Sequence, residues 1–166
     1  MATNDASELP NLAEILGGVL ERVPREQRPL LVAIAERMAA QRYREWAAQP
    51  SYDAHRSQLF ACAQREEEIA DQIEALYPDA AAVRRDILAK NTDLEEINRG
   101  LFAGRPLSEQ LTIQAQGERL GAATWRSFAR GASRAFHEAF QACALLEEES
   151  AAALEAILKL EVRPVS

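Results

Sequence analysis

Four glutamates and two cysteines stand in matched settings along this chain. Glu36 opens the segment ERMAAQRYREWA and Glu118 opens ERLGAATWRSFA, and the two segments align position by position. A second pair follows: ACAQREEEIADQIEAL, from Ala61, is answered by ACALLEEESAAALEAI, from Ala142. That pair contains Cys62-x-x-x-Glu66 and Cys143-x-x-x-Glu147. Groups at this spacing share one face of a helix, about 6 Å apart along its axis. Brought together, Glu36, Glu66, Glu118, Glu147, Cys62 and Cys143 would form a donor set for one or two transition-metal ions. Sulfur would bias that set toward zinc, copper or iron over magnesium. The same cysteines also admit two other readings, as small buried hydrophobes or as a reversible thiol pair.

The helical wheel places all four glutamates inward. At about 100° per residue, Glu36 falls beside Val32, Ala40 and Tyr43, and Glu118 beside Leu111, Ala122, Trp125 and Ala129. Leu59, Cys62, Glu66, Ile69, Ile73 and Leu76 form one seam, and Phe140, Cys143, Glu147, Ser150, Leu154 and Ile157 form its counterpart. Within each repeat the carboxylates lie nearly equal distances from the connecting turn, so an antiparallel pair brings them level. Buried carboxylates cannot all stay ionised unless protons, arginine or a bound cation compensate them. Arg42, on the apolar side of its helix, is the candidate arginine. Glu67, Glu68, Glu148 and Glu149 read as a solvated charge run. The aromatics Tyr43, Trp46, Trp125 and Phe128 read as packing, with Tyr43 also placed as a hydrogen-bond donor to a carboxylate or a radical-forming neighbour. His55 and His137 are expected near helix starts, as surface or capping-region residues.

The elements that must position these groups are helices. Only 7 glycines and 7 prolines interrupt a sequence rich in Ala, Leu, Glu and Arg, and no stretch alternates as a half-buried strand does. Prolines and caps predict helices over about 10–22, 27–49, 53–77, 108–130 and 133–159. The segment 78–107 is too long for a hairpin and has weak helical patterns of its own, so it reads as a crossover. The expected organisation is an N-terminal segment, 1–26, with a short amphipathic helix, a bundle over 27–160 and a tail over 161–166. The bundle divides into a first hairpin (27–77), the crossover (78–107) and a second hairpin (108–160). A duplicated hairpin predicts a four-helix bundle in which equivalent positions meet at one internal site.

This pattern resembles the ferritin-like superfamily, the bundle of ferritins, bacterioferritins and rubrerythrins, over roughly 27–159. That family holds a di-iron or di-manganese centre with one Glu from each of two helices and a Glu-x-x-His from each of the other two. The resemblance implies that Glu36 and Glu118 are terminal ligands, that Glu66 and Glu147 bridge, and that Tyr43 lies beside the site. Where the family has its histidines, this chain has Ile69 and Ser150. Cys62 and Cys143 are therefore the candidate replacements. The resemblance implies a metal-dependent oxidoreductase acting in oxygen, peroxide or metal-ion redox chemistry, with iron, manganese, zinc or copper bound. Two alternatives stand beside it: a metal-free interaction or assembly module with a vestigial site, and a thiol redox protein using Cys62 and Cys143.

Composition narrows the partners. The 166 residues, 48% hydrophobic, suffice for one domain, and 26 acids against 19 bases disfavour a nucleic-acid groove. There is no uninterrupted apolar run of membrane-spanning length, and the N-terminus does not read as a signal peptide. The sequence thus predicts a cytoplasmic chain without nucleic-acid or membrane partners. Its long amphipathic helices predict a homodimer, with the N-terminal helix as an interface element.

Overall fold

A computed structural model describes residues 8–161, and it is helical, with no strand among the described residues. Residues 1–7 and 162–166, which include the start of the N-terminal segment and most of the tail, lie outside the described residues. The helices are α1 (Leu12–Glu21), α2 (Arg28–Ala47), α3 (Arg56–Glu74), α4 (Ala80–Lys90), α5 (Leu94–Gly100), α6 (Leu107–Ala129) and α7 (Arg134–Glu161).

Local chemistry explains their limits. The Asn11 side chain accepts from the Glu14 N–H (3.2 Å) and caps α1. Pro29 sits in the first turn of α2, where a missing N–H costs no helical bond. Gly131, at φ 79°, supplies the left-handed residue that turns the chain from α6 into α7. The third helix is shorter than the expected 53–77, because Pro50–His55 forms a 3₁₀ turn before α3 begins. The two weak patterns of the crossover fold as α4 and α5.

Side-chain pairs give the register of the four long helices. Arg37 reaches Asp71 and Glu74 while Arg44 reaches Glu67, so α2 and α3 are antiparallel. Arg119 pairs with Glu155 and Arg126 with Glu148, making α6 and α7 antiparallel. Between the hairpins, Ser150 meets Glu66 and Phe136 meets Tyr77 on α7 and the α3 end. Across α2 and α6, Trp46 donates to Gln110 and Tyr43 to Glu118. Each helix therefore runs opposite to both neighbours, and the crossover lets α3 and α6 run the same way. The backbones of α3 and α7 pack closely, α2 and α6 stand further apart, and α1 lies against α6.

Of the two places expected for His55, the cap is the one it takes: it stands at the N-cap of α3 and is buried, because the 3₁₀ turn tucks it against the end of α7, with Nε2 3.1 Å from Glu161 Oε1. The apolar side of α1, with Leu12, Ile15, Leu16 and Val19, lines a cavity of the bundle. No helix among the described residues is long and apolar enough to cross a membrane.

The core falls into two apolar clusters. One contains Val32, Ile69, Ala122, Cys143 and Ala144, and the other contains Tyr43, Cys62, Ala63, Ala115 and Leu154. On each long helix the change from one cluster to the other happens at a glutamate. Glu36 separates Val32 from Tyr43, Glu66 separates Ala63 from Ile69, Glu118 separates Ala115 from Ala122, and Glu147 separates Ala144 from Leu154. A carboxyl layer thus crosses an otherwise apolar bundle. Ile73 is fully buried in one cluster and Leu145 is 58% exposed. Ile73→Ala should therefore destabilise the fold by about 2–5 kcal/mol in denaturant unfolding, whereas Leu145→Ala should stay within about 0.5 kcal/mol.

Candidate metal centre

The layer is built by one inward glutamate per long helix. Glu36, Glu66 and Glu147 each offer an oxygen within 4.8 Å of the others. Glu118 lies outside that group of three but is a hydrogen-bonding neighbour of Glu147. All four are buried. None forms an ion pair with an arginine, lysine or histidine of the described residues. The charge runs beside them do: Glu67 binds Arg37 and Arg44, and Glu148 binds Arg126.

Neutral donors orient the layer. Tyr43 Oη donates to Glu118 Oε1 (2.6 Å), and Gln114 Nε2 donates to the same oxygen (2.7 Å). Trp125 Nε1 donates to Glu147 Oε1 (2.9 Å), and Ser150 Oγ to Glu66 Oε1 (3.0 Å). Glu66 Oε2 and Glu118 Oε2, both buried, accept from no donor among the described residues. Such an oxygen is costly to leave unserved. It can be served by a proton shared with a neighbouring carboxyl or by a cation.

Electrostatics agree with that choice. Burial pushes Glu36 up to about 7, against a partly offsetting hydrogen bond from Glu66 and with repulsion from Glu118. Glu66 is held well above the ordinary carboxylate range by burial and then by the charges of Glu118 and Glu36. Glu147 is raised likewise, by burial and then by Glu36 and its contacts with Glu118. Burial also raises the Tyr43 phenol, with Glu118 adding to it, so Tyr43 stays a proton donor.

Gly121 makes room for this arrangement. A Cβ there would stand 2.7 Å from Glu147 Cδ, so only glycine lets that carboxyl lie against α6. The equivalent position in the first repeat is Ala39.

The other anticipated site residues divide. Tyr43 is the expected donor to a carboxylate. Trp125, expected only to pack, is a second donor, and Ser150, a poor ligand, orients Glu66 instead. Arg42 does not neutralise a glutamate. It donates to Gln114 and Asn98 and stacks 3.9 Å over Phe102. Cys62 and Cys143 are buried free thiols outside the three-glutamate group. Arg65 donates to Cys62 Sγ (3.3 Å). Burial raises both thiols, Cys143 to about 12, so neither favours the thiolate that binds metal or attacks disulfides. They also flank the layer on opposite sides, each one helical turn from its glutamate, and are therefore about 12 Å apart along the bundle. A disulfide spans less than about 7 Å.

Gln114, Gly121, Ser150 and Trp125 were not singled out as functional by sequence reasoning. One signal was present: Trp125 occupies the place of Tyr43 in the repeat, and both are aromatics with a polar hydrogen. A scan against protein-family models finds no match to the chain, and comparisons with curated proteins and with solved structures find none either.

The raised carboxyls fix the sign of a pH effect. Between the unfolded carboxylate value of about 4.3 and the folded values, the folded state holds protons that the unfolded chain has released. As far as these groups are concerned, stability of the metal-free protein is therefore greatest below about pH 4, the unfolded carboxylate range, and falls as pH rises through the folded values, about 7 for Glu36. Denaturant titrations in chelator at pH 5 and pH 8 should show the loss, and Glu36→Gln should reduce it.

Proposed function

We propose that the chain is a divergent ferritin-like metalloprotein whose carboxyl layer binds one or two transition-metal ions. The observation that carries this reading is the level group of Glu36, Glu66 and Glu147, with Glu118 adjoining, buried without an ion pair to any cationic side chain of the described residues and with two unserved oxygens, on Glu66 and Glu118. The antiparallel order of the long helices and the crossover between the hairpins support the ferritin-like part. The donor set is all oxygen, which suits manganese or iron better than zinc or copper. Zinc and copper were favoured only while thiolates were counted as ligands, and the raised, outlying thiols withdraw that support.

Glu66 and Glu147 would bridge, with Glu36 and Glu118 as terminal ligands. When bound, manganese or iron supplies one-electron redox chemistry toward oxygen or peroxide. The chain's own contribution is orientation and proton management. Ser150 fixes one oxygen of Glu66 and leaves the other without a donor, and Trp125 fixes one oxygen of Glu147. Tyr43 Oη, 2.6 Å from Glu118 Oε1, keeps its proton through burial and donates it as a hydrogen bond that orients the carboxyl. The surrounding apolar clusters exclude bulk water.

A second reading is favoured by the close carboxyl contacts themselves. Protons shared between Glu36 and Glu66 and between Glu147 and Glu118 would hold the layer without metal, leaving a structural or assembly module. Elemental analysis after anaerobic reconstitution with manganese or iron separates the two. The metal reading expects stoichiometric uptake, abolished in Glu66→Ala/Glu147→Ala, at least tenfold weaker in Gly121→Ala and retained in Cys62→Ser/Cys143→Ser. Absence of uptake in wild-type protein under all of these conditions would establish the proton-held layer.

A further inference from the structure

A cavity of about 190 Å³ lies between α1, α2, α5 and α6, where the separation of α2 and α6 leaves space. Its inner end meets Glu36, Glu118 and Glu147, and its walls are mainly apolar, including Leu12, Ile15 and Leu16 of α1 and Met38 of α2. Gly117 also lines it, and a Cβ there would meet only Leu12 Cδ1 at 3.9 Å. An apolar protein cavity of about 150 Å³ takes up benzene, so this one has room for a small organic molecule.

One feature of the wall is charged. Arg42 lines both this cavity and the neighbouring polar groove, and it is half-buried. Its Nε and Nη1 donate to Gln114 and Asn98, and its plane rests on Phe102. Among the described residues its Nη2 donates to none, and no carboxylate pairs with it. Three contacts thus hold the guanidinium in place with Nη2 unspent, a charged donor from which a carboxylate ligand can accept. Arg42 follows Glu36 by six residues, about 9 Å of helix rise, so a ligand anchored there extends back to the level of the carboxyl layer.

The geometry points to a binding site for a compact apolar carboxylate, such as a medium-chain fatty acid, with its head on Arg42 and its body along α1 reaching Glu36. This deepens the proposed function by naming the class of molecule presented to the layer, and it rests on that reading for the chemistry done there. Arg42 is the recognition group and the α1 wall the apolar contact. Gln114, which accepts from Arg42 and donates to Glu118, stands between the ligand's head and the layer.

Calorimetric titration of the metal-free full chain with octanoate and with octan-1-ol tests it, with metal content measured in parallel. Octanoate should bind once per chain, at least tenfold more tightly than octan-1-ol. Arg42→Met should erase that preference, and Gly117→Leu, which fills the cavity beside Leu12, should abolish binding of both while circular dichroism shows the helices intact. Equal affinity of wild-type protein for the two probes, or undiminished octanoate binding by Gly117→Leu, would overturn the assignment. The wild-type preference decides the role of charge even if Arg42→Met does not fold. Metal uptake without octanoate binding defeats this inference alone, and octanoate binding without metal uptake defeats the metal reading alone.

Discussion

The bundle is organised around the burial of carboxyl groups on all four of its long helices at a single level. Moving an ionised carboxylate out of water costs several kcal/mol even after the protein relaxes around it. An apolar residue at each of these positions would pack at no such cost. The layer persists with neutral donors around it, Tyr43, Gln114, Trp125 and Ser150, and with the arginines directed elsewhere. Those donors orient carboxyls but do not cancel their charge. Compensation has to come from protons or a cation, and the rest of the site follows from which of them is present.

The two hairpins repeat one sequence pattern but differ where they touch the layer. Tyr43 is replaced by Trp125, Ala39 by Gly121 and Ile69 by Ser150. Each change alters how a carboxyl is held. Tyr43 reaches across to Glu118 in the other hairpin, while Trp125 binds Glu147 within its own. Ser150 crosses to Glu66, and the isoleucine at the equivalent position has no hydrogen to give. Gly121 admits the Glu147 carboxyl against the helix backbone. Glu66 and Glu147 therefore occupy similar places with different environments, which makes the hydrogen bonding of the layer unequal on its two sides.

Much of the layer was legible because it depends on periodicity. A three-four spacing fixes the face of a helix, and counting from the turn fixes the level, so Glu36, Glu66, Glu118 and Glu147 were readable as convergent. The weak helical patterns of the crossover were readable as well, and they fold as α4 and α5. What periodicity cannot give is which atoms meet across the bundle. Arg42 was expected at a glutamate, yet Gln114 intervenes, because an inward guanidinium can be satisfied by any nearby acceptor and an aromatic face. Cys62 and Cys143 share a spacing to their glutamates, but antiparallel helices carry them to opposite sides of the layer. The burial of His55 depends on a 3₁₀ turn and on the far end of α7, more than a hundred positions away in the chain.

Whether a cation replaces protons in the layer is read most directly from proton release. Titration of metal-free protein with Mn²⁺ at pH 6.5, in buffers of differing ionisation enthalpy, measures the protons displaced per ion bound. Glu36 is pushed up to about 7, and burial followed by the charges of neighbouring glutamates raises Glu66 and Glu147 well above the ordinary carboxylate range, so binding should release at least one proton per ion, with the number falling as pH rises. Manganese binding without proton release, or the absence of binding together with protonated carboxyls throughout, would contradict a metal centre built on these glutamates.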